Sequence, residues 1–196
     1  FIFLVQTTSV KDMVMSPSGS AMAIACCVFS IVTMFMIVCC FGRKAPLNYI
    51  LLFIFTACET YMIGGLTAQY DSETVMQAGV ATALVTISLT VYAMRTTVPI
   101  EFFGAISCVI CLAMLPLMII SFFITNKILN TVYCCMGALL YAIYLIIDTM
   151  MITGGKNNMS NVKCSMDDYI IGALMLYLDI VMLFVYILRI LGSAKN

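Results

Sequence analysis

Leu139-Leu-Tyr-Ala-Ile-Tyr-Leu-Ile-Ile-Asp148-Thr-Met-Met-Ile152 and Tyr169-Ile-Ile-Gly-Ala-Leu-Met-Leu-Tyr-Leu-Asp179-Ile-Val-Met-Leu-Phe184 are consecutive apolar stretches, each broken by one aspartate. An ionised carboxylate in hydrocarbon costs at least ~3 kcal/mol, so acids at such positions are rare and usually serve a purpose. The two stretches together set the frame of the chain: helices that lie in lipid, with acids kept inside them for use.

The rest of the sequence agrees. Of 196 residues, 64% are hydrophobic and 9% charged, with a mean hydropathy of +1.14. Soluble domains carry about 25% charged residues, so the composition predicts a multi-pass, all-α bundle in a membrane. A spanning helix takes about 20 apolar residues. Runs near that length fall at 21–41, 47–68, 75–94, 102–124, 128–152 and 168–191, in one transmembrane domain over 1–196. Phe1 to Val5 is too short to span and lacks a basic flank, and 1–10 reads as the remnant of a truncated first helix. Net charge is zero, which gives no footprint for nucleic acid. Histidine is absent, so zinc hydrolase chemistry is not expected and any pH response must come from carboxylates.

Nine of the ten cysteines lie in apolar segments, where a thiol behaves as a small hydrophobe; Cys164 alone lies in a polar link. Cys108-Val-Ile-Cys111 has C-x-x-C spacing but no second pair and no histidine, which favours packing over metal or redox chemistry. No cofactor is expected. The ten tyrosines and seventeen methionines read as packing residues.

Basic residues in short links mark the cytosolic side. Arg43-Lys44, Arg95 and Lys156/Lys163 fall on one side, Lys11 and Lys127 on the other, which places the first group in the cytosol. Asn158-Met-Ser160 is a glycosylation sequon in one of those cytosolic links, so it is expected to stay unmodified. Arg189 lies near a helix end and is expected to snorkel to the interface.

Asp148 lies near the end of its span and Asp179 deeper in the next, which runs the other way. The two meet at the cytosolic end if the last helix begins late or tilts. Two carboxyl groups in contact share a proton, bridge two helices while they hold it, and repel once it is lost. Clustered oxygens also suit hard cations such as Ca²⁺. A pH latch and a transient cation site therefore come from the same residues, Asp148 and Asp179. The alternative is that each aspartate caps a broken helix or bonds a neighbouring hydroxyl, as Asp148-Thr149 invites. Glu59, before Gly64-Gly65, reads either as a further acid on the ion path or as a protonated acid bonded to Thr56, Thr60 or another helix.

Pro46-Leu-Asn48, Phe55-Thr-Ala-Cys-Glu59, Gly137-Ala-Leu-Leu140, Ile147-Asp-Thr149, Asp167-Asp-Tyr169 and Leu176-Tyr-Leu-Asp-Ile180 follow in order. As an ordered set they resemble the Bax inhibitor / lifeguard family (transmembrane BAX inhibitor motif), and most of all its Golgi anti-apoptotic protein branch. The resemblance implies a seven-helix fold with a short central last helix. It also implies a pH-sensitive Ca²⁺ leak in Golgi or endoplasmic reticulum membranes that restrains apoptosis, without enzymatic activity. Asp148 and Asp179 match the family's paired aspartates. Asn130 stands where the family often has an acid and, with Glu59 and Asp167, is a possible additional path residue. The segment 21–41 lacks the basic residue that some members carry there. Expected partners are lipids, Ca²⁺ or other cations, and apoptosis-regulating membrane proteins.

Two rival readings stay open. Paired aspartates on adjacent helices also describe an intramembrane aspartyl protease, which needs one acid and one carboxylate around a water. Presenilin-like proteases carry Gly-x-Gly-Asp, whereas Tyr177-Leu178 precede Asp179 here. The other rival is a non-conducting regulator of apoptosis that works by protein contact.

Overall fold

The computed structural model describes residues 16–41, 46–124, 126–153 and 169–195. All regular structure in these residues is helical. Helix α1 (Pro17–Met36) continues into a wider π-type turn (Ile37–Phe41), followed by α2 (Leu47–Thr67), α3 (Ser72–Arg95), α4 (Ile100–Phe123), α5 (Lys127–Thr153) and α6 (Tyr169–Lys195). All six helices are long and apolar enough to cross a membrane. Among the described residues the fold is thus the polytopic helical bundle that the composition predicts.

Helix ends follow local chemistry. At α1, the Ser16 side chain accepts a hydrogen bond from Gly19 N at 3.2 Å and Pro17 occupies the first helical turn. That caps one orphan N–H and places proline where its missing donor costs nothing. Hydroxyls within the spans bond their own helix: Thr33 Oγ1 donates to the Phe29 carbonyl at 2.8 Å, Thr82 Oγ1 to Ala78 at 2.7 Å and Ser107 Oγ to Gly104 at 2.9 Å. Back-bonding of this kind lets a small polar side chain sit in lipid without an unmet donor.

The surface is apolar, as a lipid-facing bundle requires. Phe53, Phe123 and Ile128 are each at least 73% exposed, and Ile24, Ile87 and Val109 are also largely uncovered. In water such a surface would drive aggregation; in a bilayer it meets acyl chains.

The chain divides into two compact units, Phe1–Val75 with Met166–Leu174 and Met76–Ser165 with Met175–Asn196. In the first, α1 packs along α2. The Tyr61 hydroxyl of α2 donates to the Gly19 carbonyl of α1 at 3.3 Å, and Cys26 and Cys58 stand in side-chain hydrogen-bonding contact. In the second unit, α4 packs along α5. Ala93 of α3, Phe103 of α4 and Ile146 and Met150 of α5 form a buried cluster, joined by Leu89, Val98, Ile100, Ile143 and Ile147. Phe103 meets Tyr92 edge-on at 6.4 Å between ring centroids.

The last helix differs from the family-based expectation. It is 27 residues long, the same length as α5, rather than short. Its run from Ile170 to Leu191 contains no glycine or proline pair to break it, and Arg189 and Lys195 close its end. The first apolar span also starts earlier than the sequence suggests, at Pro17, because Ser16-Pro17 is a strong helix start. The stub at 1–10 lies outside the described residues, as do Arg43-Lys44, Lys156, Asn158, Lys163 and Cys164.

Candidate functional site

Asp148 lies five residues before the end of α5 at Thr153, and Asp179 lies ten residues after the start of α6 at Tyr169. At ~1.5 Å rise per residue these depths are about 7 Å and about 15 Å. The two helices nonetheless bring the acids together: their side chains are in hydrogen-bonding contact. The last helix does not begin late, so the pair forms because the helices run about five residues out of step.

What fixes that register lies further along the same interface. Tyr186 of α6 sits against Gly137 of α5, where an added methyl group would overlap its ring. Beyond it, the Thr131 hydroxyl of α5 and the Ser193 hydroxyl of α6 lie 2.9 Å apart. The pairs Asp148 with Asp179, Gly137 with Tyr186 and Thr131 with Ser193 follow one antiparallel register. Small residues let helices approach closely, and interhelical hydrogen bonds in lipid contribute about 0.6–2 kcal/mol each.

Asp179 is 6% exposed, and its Oδ2 is buried without a hydrogen-bond partner among the described residues. Asp148 is half-buried. Ile146, Ile147 and Met150, which flank Asp148 in sequence, belong to the apolar cluster with α3 and α4. Tyr141 and Tyr144 of α5 stand within electrostatic reach of Asp179, and Tyr144 of Asp148 as well. Cys108 and Cys111 of α4 face Tyr144 in turn. A carboxylate has no proton to donate, so the two carboxyl groups can share a hydrogen bond only when at least one of them holds a proton. The arrangement can hold and release a proton, and the open Oδ2 is an uncommitted oxygen beside it.

The local alternative for Asp148 does not describe this geometry. Thr149 Oγ1 is buried and bonds nothing among the described residues, while its carbonyl accepts from Thr153 Oγ1 at 2.7 Å. Asp148 reaches across to α6 instead.

The other candidate residues sit elsewhere. Asn130 is exposed in the first turn of α5, eighteen residues from Asp148, which is about 27 Å along the helix. It is therefore not part of the pair's surroundings. Glu59 is half-buried on α2, in the first unit. The Thr56 and Thr60 hydroxyls donate to the carbonyls of Phe53 and Thr56 at 2.9 Å and 2.6 Å, so neither gives its proton to Glu59. Asp167 lies outside the described residues. Among the described residues no three His, Cys, Asp or Glu side chains gather as a metal cluster. Asp148 and Asp179 bring two carboxyl groups together, with no third acid from the described residues. Arg189 is half-buried and within electrostatic reach of Cys134 on α5.

The residues that sequence reading passed over are tyrosines. Tyr133, Gly137, Tyr141, Tyr144 and Asp148 recur at steps of four, four, three and four, a single face of α5. That spacing was the available signal, and reading every tyrosine as packing hid it.

A bundle of lipid-spanning helices with a buried carboxyl pair between its last two members defines a class: a polytopic membrane protein with an intramembrane protonatable site. Comparison with known proteins places it further. The whole chain, residues 1–196, matches the family described as "Bax1-I: Inhibitor of apoptosis-promoting Bax1", and the chain belongs to this Bax inhibitor / lifeguard family. It is 31% identical to Protein lifeguard 3 of Homo sapiens over 169 residues, covering 83% of this chain and 53% of that protein. It is 32% identical to Protein lifeguard 3 of Mus musculus over 169 residues, with the same coverage. Identity to Protein LIFEGUARD 4 of Arabidopsis thaliana is 31% over 163 residues, 79% of this chain and 61% of that protein. The chain thus spans little more than half the length of these curated relatives.

Proposed function

We propose that the protein is a slow, pH-sensitive leak for Ca²⁺ or other cations in a Golgi or endoplasmic reticulum membrane, and that it restrains apoptosis by lowering the Ca²⁺ stores. The observation that carries this reading is the contact between Asp148 and Asp179, with Oδ2 of Asp179 buried and unpartnered. While the pair shares a proton it ties α5 to α6. When the proton leaves, two like charges in a low dielectric repel, and the same oxygens become ligands for a hard cation. Proton loss therefore opens the latch and prepares the site in one step. Tyr141 and Tyr144 on α5 stand within electrostatic reach of the pair, with Cys108 and Cys111 of α4 beside Tyr144.

The family description favours a second reading. An "inhibitor of apoptosis-promoting Bax1" can work by binding other membrane proteins without conducting. Purified protein in liposomes loaded with a Ca²⁺ dye separates the two. The leak reading expects flux above that of empty vesicles, increasing with pH, with the pH response absent in Asp148→Asn and Asp179→Asn. Flux equal to that of empty vesicles at every pH leaves the contact reading in its place.

A further inference from the structure

Beyond the carboxyl pair, tyrosines of α5 and α6 meet: Tyr133 and Tyr141 on one helix and Tyr186 on the other. Tyr186 is 8% exposed, and its ring stacks on Tyr141 with centroids 5.7 Å apart and planes at 29°. Tyr133 stands on its other side at 6.2 Å, in side-chain hydrogen-bonding contact with it. The third side of the ring is closed by Gly137, the one position on that face of α5 with no side chain to move aside. A large ring held by two tyrosines and a socket is a stopper, placed two turns along α6 from Asp179.

One turn further on is Arg189, within electrostatic reach of both Tyr186 and Cys134, and Cys134 is 0% exposed. Among the described residues no carboxylate pairs with Arg189. A cation that left the carboxyl pair along this seam would first displace the Tyr186 ring and then pass a fixed positive charge. Tyrosine faces and hydroxyls attract cations, whereas the guanidinium repels them, and a divalent ion about twice as strongly as a monovalent one.

We propose that Tyr186, seated on Gly137, is the plug that closes the α5–α6 seam beyond the carboxyl pair, and that Arg189 behind it limits passage of divalent cations. This rests on the leak reading for the identity of what passes, but not for the existence of the seal. The plug is a property of α5 and α6 themselves: it predicts which residues keep water and ions out whether or not the resting protein conducts.

The test uses full-length chain in liposomes with two readouts. One is dye-reported flux of Ca²⁺ and of K⁺. The other is modification of Cys134 by a membrane-impermeant methanethiosulfonate, quantified by mass spectrometry. Tyr186→Ala removes the ring, Gly137→Ala fills its socket, Tyr186→Phe keeps the ring, and Arg189→Gln removes the charge. Variants are compared as monodisperse protein, and Tyr186→Phe separates loss of the plug from loss of the fold. The expected result is a several-fold rise in Cys134 modification and in flux for Tyr186→Ala and Gly137→Ala, with Tyr186→Phe close to the parent. Arg189→Gln is expected to raise the ratio of Ca²⁺ to K⁺ flux several-fold. Unchanged Cys134 modification in both alanine variants overturns the plug, and an unchanged flux ratio in Arg189→Gln overturns the barrier. If the parent carries no flux at any pH while Cys134 modification still rises, the seal stands and the leak reading falls. If the parent conducts and neither alanine variant alters flux or modification, the reverse holds.

Discussion

On the proposed leak reading, a single proton decides what Asp148 and Asp179 do to each other. Sharing it, they form one hydrogen bond between two helices; without it, they are like charges at contact distance. An intramembrane hydrogen bond is worth about 0.6–2 kcal/mol, so breaking this one lowers the ratio of closed to open protein by about three- to thirtyfold. Asp148→Ala removes the bond outright and leaves Asp179 buried without its partner. Its flux at low pH is expected to rise by a factor in that range, measured in dye-loaded liposomes. In Asp148→Asn and Asp179→Asn the amide N–H can donate to the carboxylate that remains, so the link between the helices no longer depends on a shared proton. Their flux is expected to stay level across the pH range in which the parent's flux climbs. The sign follows from the chemistry: raising pH takes the proton, adds repulsion and opens the latch, so a parent flux that falls with rising pH would reverse the mechanism. That these two residues are out of the ordinary was readable from the sequence, since an acid in hydrocarbon stands out against its neighbours. That they touch was not, because contact depends on the stagger of two helices, and nothing near Asp148 or Asp179 sets it. Gly137, Tyr186, Thr131 and Ser193 set it from up to seventeen residues away along the chain.

Helices α1 and α2 show how far single elements can be read and where reading stops. Their existence follows from two runs of apolar residues of spanning length, and the start of α1 from Ser16-Pro17. Their pairing does not, because apolar residues surround α1 on nearly all sides and no face is marked for contact. The contacts that select the face are small: the Tyr61 hydroxyl on the Gly19 carbonyl and the neighbouring thiols of Cys26 and Cys58. The two contacts agree on an antiparallel register, since residues seven further along α1 meet residues three further back on α2. Two outcomes follow. Mild oxidation with copper phenanthroline is expected to join Cys26 to Cys58, seen as a cross-linked peptide with a mass lower by two hydrogens. Its absence, with links from Cys26 to cysteines outside α2 instead, would contradict this packing. Tyr61→Phe keeps the ring and deletes the bond to Gly19, and should lower stability by about 0.6 kcal/mol, detectable as a small drop in the thermal midpoint in nanodiscs. The last helix teaches the complementary lesson. Family likeness implied a short element, while the mostly apolar, proline-free run from Ile170 to Leu191 makes the body of a helix of 27 residues. The local sequence was the better guide there.

At the scale of the whole molecule, the latch has a direction only if the membrane sides are assigned. Asp148 lies five residues from the end of α5, so on the leak reading the pH that the pair would sense is that of the side onto which this end opens. The count of basic residues in the links assigns that side to the cytosol, because Arg43-Lys44, Arg95 and Lys156/Lys163 outnumber Lys11 and Lys127. This count of link charges is independent of the helix packing and reflects the cost of moving positive charge across the membrane during insertion. It makes two predictions that share one link, between α5 and α6. Asn158 in Asn158-Met-Ser160 should carry no glycan, because glycosylation takes place on the lumenal side. Trypsin added outside sealed microsomes should cut the same link at Lys156 or Lys163 and release the last helix as a separate fragment. The two measurements fail in opposite ways. An endoglycosidase-sensitive mass shift at Asn158, with the link protected from trypsin, would turn the protein over and make the pair a sensor of lumenal rather than cytosolic pH. An unglycosylated, trypsin-sensitive link keeps the latch facing the cytosol. On the proposed leak reading, a fall in cytosolic proton concentration would then open a path for Ca²⁺ out of the store, and acidification would close it.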